Sequence, residues 1–336
     1  MTPRNSIIPV FVPHLGCPND CVFCNQRTIS GSLRPAGAGD VTRALEEARG
    51  KTAGAELAFY GGSFTAVPEE MQRSLLEAAR PYREEGFLRS IRVSTRPDAV
   101  TAEKLALLQT YGVETVELGA QSMEERVLRL SGRGHRAEDT IRASALVKAS
   151  GMHLVLQMMT GLPGASPESD LRTAEAIAAL QPDGVRIYPT VILRGTPLEA
   201  LWRAGKYRAH TVNDAVETCA PIAALFLRAG IPILRMGLNP TESLSGGEAV
   251  GGAYHPALGE LVYSKLYLDL AREKLRALPR QPRQVELLVA SSRVSQMTGQ
   301  KKTNLLALRW EFGLEGISVS GGAFPPETVE IGKILW

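Results

Sequence analysis

The sequence predicts an α/β fold, an open partial (β/α)6 barrel of TIM-like type followed by a small C-terminal α/β extension. Two observations carry this. Short apolar runs alternate with longer stretches whose apolar residues recur at three- and four-residue spacing, the signature of βα units around a parallel sheet. The pattern then changes after Ser245 to Gly252, a stretch rich in Gly and Ser that reads as a linker or flexible loop. The expected domains are therefore residues 1–245 and 246–336.

Candidate strands run from Ile7 to Val12, Glu56 to Tyr60, Ser90 to Ser94, Thr115 to Leu118, His153 to Met159 and Gly184 to Ile187. Helical patterns fall between them at Pro68 to Glu85, Thr101 to Tyr111, Ala137 to Ala149 and Glu168 to Leu180. Six such units cannot close an eight-stranded barrel, but they can make a curved open sheet wrapped by helices. Chemistry is then expected at the C-terminal ends of the strands. A seventh apolar run, Ile231 to Leu238, follows a helix from Val212 to Ala229 and offers an edge strand. The tail reads as a helix from Pro256 to Leu278, a strand from Gln284 to Ala290, two helical pieces between Arg293 and Phe312, and a strand from Gly316 to Ser320.

A composition of 44% apolar and 22% charged residues is that of an ordinary globular protein. A net charge of +3, from 38 basic and 35 acidic residues, is too slight to argue for nucleic acid by itself. No run has the length of a membrane span and no secretory signal pattern opens the chain, so a reducing, cytoplasmic setting without membrane contact is expected.

Three of the four cysteines stand together as Cys17-Pro-Asn-Asp-Cys21-Val-Phe-Cys24, directly after the first strand. A cubane iron–sulfur cluster normally takes four thiolates, so three leave one iron open to a substrate or cofactor. Zinc is the competing reading, and it needs a fourth ligand that His14 could supply. A disulfide framework does not suit a chain long enough to build its own core. Cys219, in an apolar helical stretch, reads as a small buried hydrophobe.

Polar motifs mark the strand ends: Gly61-Gly62-Ser63-Phe64-Thr65, Ser94-Thr95-Arg96-Pro97-Asp98, Glu117-Leu-Gly-Ala-Gln121-Ser122, then Arg133-Gly-His135, Gln157-Met-Met-Thr160-Gly161 and Arg186-Ile-Tyr188-Pro189. Each alone has an ordinary reading. Paired glycines are usually a turn, a Gln or Arg at a strand end is usually solvated, and Met158 and Met159 are more often core than ligand.

In this order behind a cysteine triplet, the motifs resemble the radical S-adenosylmethionine superfamily from about Ile7 to Thr241. The likeness is nearest to the catalytic subunit of the Elongator complex and more distant to oxygen-independent coproporphyrinogen oxidase. It implies a 4Fe-4S cluster on Cys17, Cys21 and Cys24, with S-adenosylmethionine (S-adenosyl-L-methionine) completing the fourth iron. It further implies that Gly61, Gly62 and Ser63 orient the cofactor's amino group, and that Phe23 lies against adenine. Gln121 and Arg133 would contact ribose and carboxylate, Gln157 the ribose, and Tyr188 the side of the adenosine site. Ser94 stands where relatives usually carry glutamate, a departure from the pattern.

The resemblance implies an enzyme that takes one electron from a flavodoxin or ferredoxin-type donor. It would cleave the cofactor to a 5′-deoxyadenosyl radical that abstracts hydrogen from a substrate. The sequence leaves the substrate open between an RNA base, with tRNA as a candidate partner, a protein side chain and a small metabolite. Elongator subunits add an acetyltransferase domain, whereas about 85 residues follow Gly252, short for such a domain. A second class, a non-catalytic cluster or haem-handling protein on the same scaffold, also fits. In the tail, Val285 to Ser320 resembles the βααβ core of a KH-type RNA-binding module, with a degenerate loop, Gly299-Gln-Lys301-Lys302, in which Lys302 replaces the second glycine. The plainer reading of the tail is a small α/β lid. Tyr254-His255-Pro256 either lines the mouth of the site or forms a turn.

Overall fold

The computed structural model describes residues 6–12, 17, 19–24, 36–52, 54–239 and 244–336. His14, the alternative fourth ligand, and Thr241, the end of the resemblance, lie outside the described residues.

Seven strands form one parallel sheet: β1 (Ser6–Phe11), β2 (Ala55–Tyr60), β3 (Leu88–Thr95), β4 (Val113–Gln121), β5 (His153–Thr160), β6 (Gly184–Pro189) and, beyond a short β7 (Val191–Leu193), β8 (Ile233–Met236). Their spatial order, β1-β2-β3-β4-β5-β6-β8, follows the chain, so the sheet curls into a half-barrel instead of winding in two directions. The connecting helices are α1 (Ala38–Ala48), α2 (Glu69–Glu84), α3 (Ala102–Thr110), α4 (Glu125–Leu130), α5 (Ala137–Ala149), α6 (Pro167–Ala179), α7 (Pro197–Arg203) and α8 (Val212–Arg228). Local chemistry starts them where expected. Ser166 caps α6 with Pro167 at its first position, and Thr211 and Asp214 close a reciprocal cap on α8.

Alternation along the strands decides which residues reach the site. Leu57 and Phe59, Ile91 and Val93, Val116 and Leu118 are buried, and they join helix residues such as Leu75, Leu105 and Val147 in the main core. The intervening positions carry Arg92 and Ser94 on β3, Glu117 and Gly119 on β4, and Gln157 on β5, which therefore share the opposite, concave face. A one-residue slip of β4 would drive Glu117 into the apolar layer and Leu118 into the hollow, so the register is firmly specified. The strands β3 to β6 all run past the expected ends, to Thr95, Gln121, Thr160 and Pro189. Their last residues are polar or proline, and hydrophobicity alone does not register them.

Met158 is core, whereas Met159 shares the concave face of Gln157 and stands level with Tyr188 on β6. Cys219 is fully buried as expected, and burial pushes its thiol up to about 12.

The stretch read as a linker is partly a strand. β9 (Ala249–Gly252) pairs antiparallel with β7. Its glycines permit close approach more than flexibility: a Cβ on Gly252, at φ +86°, would stand 2.7 Å from the Thr190 carbonyl oxygen. Beyond it, α9 (Leu258–Arg276) serves two cores. Leu258 and Val262 belong to the barrel, while Tyr267, Ala271 and Leu275 pack under a second sheet. That sheet, in the order β11-β10-β12, consists of β10 (Gln284–Ala290), then, after α10 (Val294–Thr298) and α11 (Thr303–Glu311), β11 (Gly316–Gly322) parallel to it and β12 (Glu330–Leu335) antiparallel. The sequence reading missed β12, a short edge strand with mixed polarity. His255 proves a turn residue, since its Nδ1 accepts the Ala257 N–H at 3.1 Å.

Candidate active site

The cysteine loop rests on a glycine shelf that follows α4. Val22 donates its N–H to the Ser131 carbonyl at 3.0 Å and accepts from Leu198 N–H at 2.8 Å, while Cys24 N–H closes a turn on the Cys21 carbonyl at 2.9 Å. Phe23 occupies that turn. Gly132 and Gly134, at φ +66° and +68°, make the approach possible. A Cβ on Gly132 would lie 3.2 Å from the Asp20 carbonyl oxygen, and one on Gly134 only 2.3 Å from the side-chain amide of Asn19.

Two buried guanidiniums point at the sulfurs. Arg133 donates from Nη1 to Cys21 Sγ at 3.6 Å and from Nη2 to the Gly119 carbonyl at 2.7 Å, and among the described residues its buried Nε has no partner. Arg96, 3% exposed, donates from Nη1 to Cys17 Sγ at 3.6 Å and from Nη2 to the Arg133 carbonyl at 3.1 Å. Asp98 takes the fork of Arg96 from Nε and Nη2, both at 2.9 Å. With its amide turned so that Oδ1 faces Arg96, Asn19 accepts from both terminal nitrogens at 2.8 Å. Burial works against the charge on Arg96, yet its bonds to Asp98 and Cys17 leave its pKa raised. Burial likewise opposes ionisation of Asp98, but Arg96 holds its carboxyl below the ordinary value.

Gly119 leaves room for two side-chain ends: a Cβ there would meet Gln121 Nε2 at 2.8 Å and Arg133 Nη2 at 3.3 Å. Gln121, at φ +64°, accepts from Gln157 Nε2 at 3.1 Å. His135 bonds the Ala120 carbonyl through Nε2, and burial, then the charge of Arg133, pushes its pKa down to about 4, so it stays neutral.

The Gly-Gly-Ser loop is locked from behind. Ser63 Oγ lies 2.9 Å from Thr95 Oγ1 and accepts from Arg96 N–H, and Thr65 Oγ1 lies 2.6 Å from the same threonine oxygen. The Ser63 hydroxyl is thereby committed to its own fold, and the backbone of Gly61 and Gly62 is what remains for a ligand. Ser94 stands level with Glu117, and Tyr188 lines the hollow from β6.

Around Glu117 lies a charge cluster that the sequence reading did not single out. Arg92 pairs with both Glu56 and Glu117, Arg186 pairs with Glu117 at 3.0 Å, and Tyr60 OH donates to Glu117 Oε1 at 3.2 Å. Burial, reinforced by Glu117, raises the Tyr60 pKa. Charged residues within a strand read as a solvated face until the sheet is known to curl. Alternation with fully apolar neighbours was the available signal.

The residues present fit a cluster and its cofactor. Three free cysteines share one loop, and two of them accept hydrogen bonds from buried guanidiniums. Arg133 keeps a buried donor for an incoming carboxylate. Among the described residues no three His, Cys, Asp or Glu side chains converge as the ligands of one metal ion; a cubane instead takes one thiolate per iron. A separate cavity of about 570 Å³ opens past the C-terminal end of β5, between the Gly161–Pro167 loop and the Tyr207–His210 segment, with none of the three cysteines in its wall. At its side Asp170 accepts the Gly161 N–H, and burial pushes its carboxyl up to about 7.

The radical SAM superfamily matches residues 11–177 and the radical SAM C-terminal domain residues 182–267. Mouse Elongator complex protein 3 is 36% identical over 190 residues, 51% of this chain and 35% of that protein. The tRNA uridine(34) acetyltransferase of Methanocaldococcus infernus is 29% identical over 239 residues, 65% of this chain and 44% of that one. The chain thus spans less than half the length of these relatives. Among solved structures, the archaeal Elp3 of Methanocaldococcus infernus is similar at a TM-score of 0.62 with 25% identity, covering 78% of this chain and 62% of that one. No helix among the described residues is long and apolar enough to cross a membrane. With a curled parallel half-barrel and a three-cysteine loop backed by arginines, the chain belongs to the radical S-adenosylmethionine superfamily, and it is an enzyme of that class.

Proposed function

We propose that this chain cleaves S-adenosylmethionine reductively at a 4Fe-4S cluster on Cys17, Cys21 and Cys24, and that its substrate is an RNA base. The buried Nε of Arg133, without a partner among the described residues and on a guanidinium that already touches Cys21, is the observation that carries the cofactor reading. When bound, the cluster and cofactor supply a 5′-deoxyadenosyl radical and the protein supplies orientation. In this reading Arg133 takes the methionine carboxylate, the Gly61-Gly62 backbone the amino group, and Gln121 with Gln157 the ribose. Phe23 covers adenine, with Ser94 and Tyr188 at the sides of the hollow. A flavodoxin or ferredoxin-type protein delivers the electron, in a reducing cytoplasm.

The RNA reading is supported by the likeness to a tRNA uridine(34) acetyltransferase, of which this chain covers 44%. Acetyl transfer is not included in it. The test is anaerobic reconstitution followed by dithionite and S-adenosylmethionine. 5′-Deoxyadenosine should accumulate, and a fully loaded protein that forms none would sink the catalytic reading in favour of a non-catalytic cluster protein.

A further inference from the structure

The C-terminal module exposes a stripe that the cofactor site does not use. Between α10 and α11 the chain passes through Gly299 at φ +76°, Lys301 at φ +51° and Lys302 at φ +63°. A Cβ on Gly299 would stand 2.7 Å from Thr303 Oγ1, so glycine is required there. Lys301 and Lys302 are exposed, and among the described residues no carboxylate pairs with either. One turn on, Leu306 is 60% exposed, and after a second turn Trp310 is 88% exposed. Spacing of four residues puts Leu306 and Trp310 on one face of α11, and Lys302 caps the start of that helix. Arg309, also exposed and without a carboxylate partner among the described residues, adjoins them. The one acid of this helix, Glu311, is turned to Arg272 and Arg276 and does not offset the stripe.

The position of the loop matters as much as its chemistry. Gln296 donates to Glu260 and Asn304 to the Ser264 carbonyl at 2.8 Å, which fixes both flanks of the loop to the first two turns of α9. That end of α9 packs on the barrel mouth, where Leu258 lies against Gly237, just past the C-terminal end of β8. The lysine loop therefore stands beside the opening of the half-barrel.

We infer that this face grips single-stranded RNA, with Lys301 and Lys302 on consecutive phosphates and Trp310 stacked on a base. Apolar and cationic groups in one exposed line match a strand that carries a phosphate and a π-face in every unit. A protein partner would account for Leu306 and Trp310 but not for two adjacent cations held in left-handed backbone. The inference rests on the RNA reading above and adds where the strand leaves the site.

The test uses the full chain and two probes, a fluorescein-labelled twelve-nucleotide polyuridine RNA and unfractionated tRNA, with anisotropy read across a salt series. The double variant Lys301→Gln, Lys302→Gln should bind at least tenfold more weakly, with a salt slope smaller by about 1.4, as expected for two lost phosphate contacts on a single strand. Trp310→Ala should weaken binding about tenfold with the slope unchanged. Both variants should make 5′-deoxyadenosine without RNA at the parent rate. Parent-like RNA affinity in both variants overturns the surface while leaving an RNA substrate possible. So does a change in oligomeric state at constant RNA affinity, which would give the face to a second copy of the chain. An intact protein that binds neither probe removes the RNA substrate together with the surface.

Discussion

Arg96 Nη1 and Cys17 Sγ stand 3.6 Å apart, and Asp98 holds the remaining edge of the same guanidinium. A single buried cation is thus fixed by one carboxylate and aimed at one sulfur. Hydrogen bonds to the sulfurs of a cluster tune its potential. Because Arg96 also bonds the Arg133 carbonyl, the two arginines form one unit around the cysteine loop.

Replacing Asp98 with Ala removes the counterion of a buried guanidinium. Breaking a buried pair from one side costs about 3–5 kcal/mol. Asp98 keeps a side-chain exposure of 30%, so the loss should fall near the lower limit, about 3 kcal/mol. Urea unfolding of the apo protein measures it. A variant as stable as the parent would mean that Asn19 and the Arg133 carbonyl hold Arg96 unaided.

Gly134→Ala should act through sterics alone. A Cβ there falls 2.3 Å from the side-chain amide of Asn19, at a φ of +68° that alanine resists. Asn19 must move, and with it the support of Arg96 and Cys17. Iron and sulfide bound per chain after reconstitution should drop by half or more, while Gly151→Ala, at a similar φ but with open space around it, should load normally. Equal loading in the two variants would separate the glycine shelf from cluster assembly.

Much of this was legible in the sequence, and the limits have physical causes. The strand order, the helices from Ala137 and Val212, and the buried Cys219 follow from periodicity and burial, which are local. The strand-end motifs located Cys17, Gln121, Arg133 and Gln157 in one neighbourhood because the half-barrel gathers its strand ends. Arg96 and Asp98 were quoted only as part of a run, since nothing local says that an arginine at a strand exit will turn back to a cysteine 79 positions earlier. The Glu117 cluster was missed for a similar reason, because its partners come from three other strands. The stretch before Gly252 was misjudged because glycine serves both flexibility and close approach, and only the neighbouring β7 backbone distinguishes them.

Two buried groups should give opposing pH slopes. His135 has its pKa lowered from 6.5 to about 4 by burial and then by Arg133, so the unfolded chain binds the extra proton between these values. Its contribution is complete above pH 6.5 and is lost on acidification towards 4, on the order of 3 kcal/mol. Asp170, raised from 3.8 to about 7 by burial, binds its proton more tightly when folded. Its contribution is complete below pH 3.8 and is lost as pH rises through 7, on the order of 4 kcal/mol. In urea melts of apo protein from pH 4 to 7.5, relative to the parent, Asp170→Asn should gain stability with rising pH and His135→Gln should lose it. Variants that both follow the parent's pH curve would mean that neither group stays dehydrated in solution.

Glu117 serves Arg92, Arg186 and Tyr60 at once, so Glu117→Gln should leave two guanidiniums under-neutralised and cost about 3 kcal/mol or more. Stability alone cannot tell whether the cluster exists for the fold or for the hollow above it. Pairing Glu117→Leu with Arg186→Met removes both charges, and buried ion pairs replaced by apolar side chains of similar volume often regain the lost stability. Arg92 keeps Glu56 in that background. The double variant should therefore melt close to the parent while forming less than a tenth of its 5′-deoxyadenosine, because Tyr60 and Tyr188 lose the charges that fix their hydroxyls beside the site. Parent-like product from a parent-like fold would assign the cluster to stability and free the floor of the hollow from any part in the chemistry.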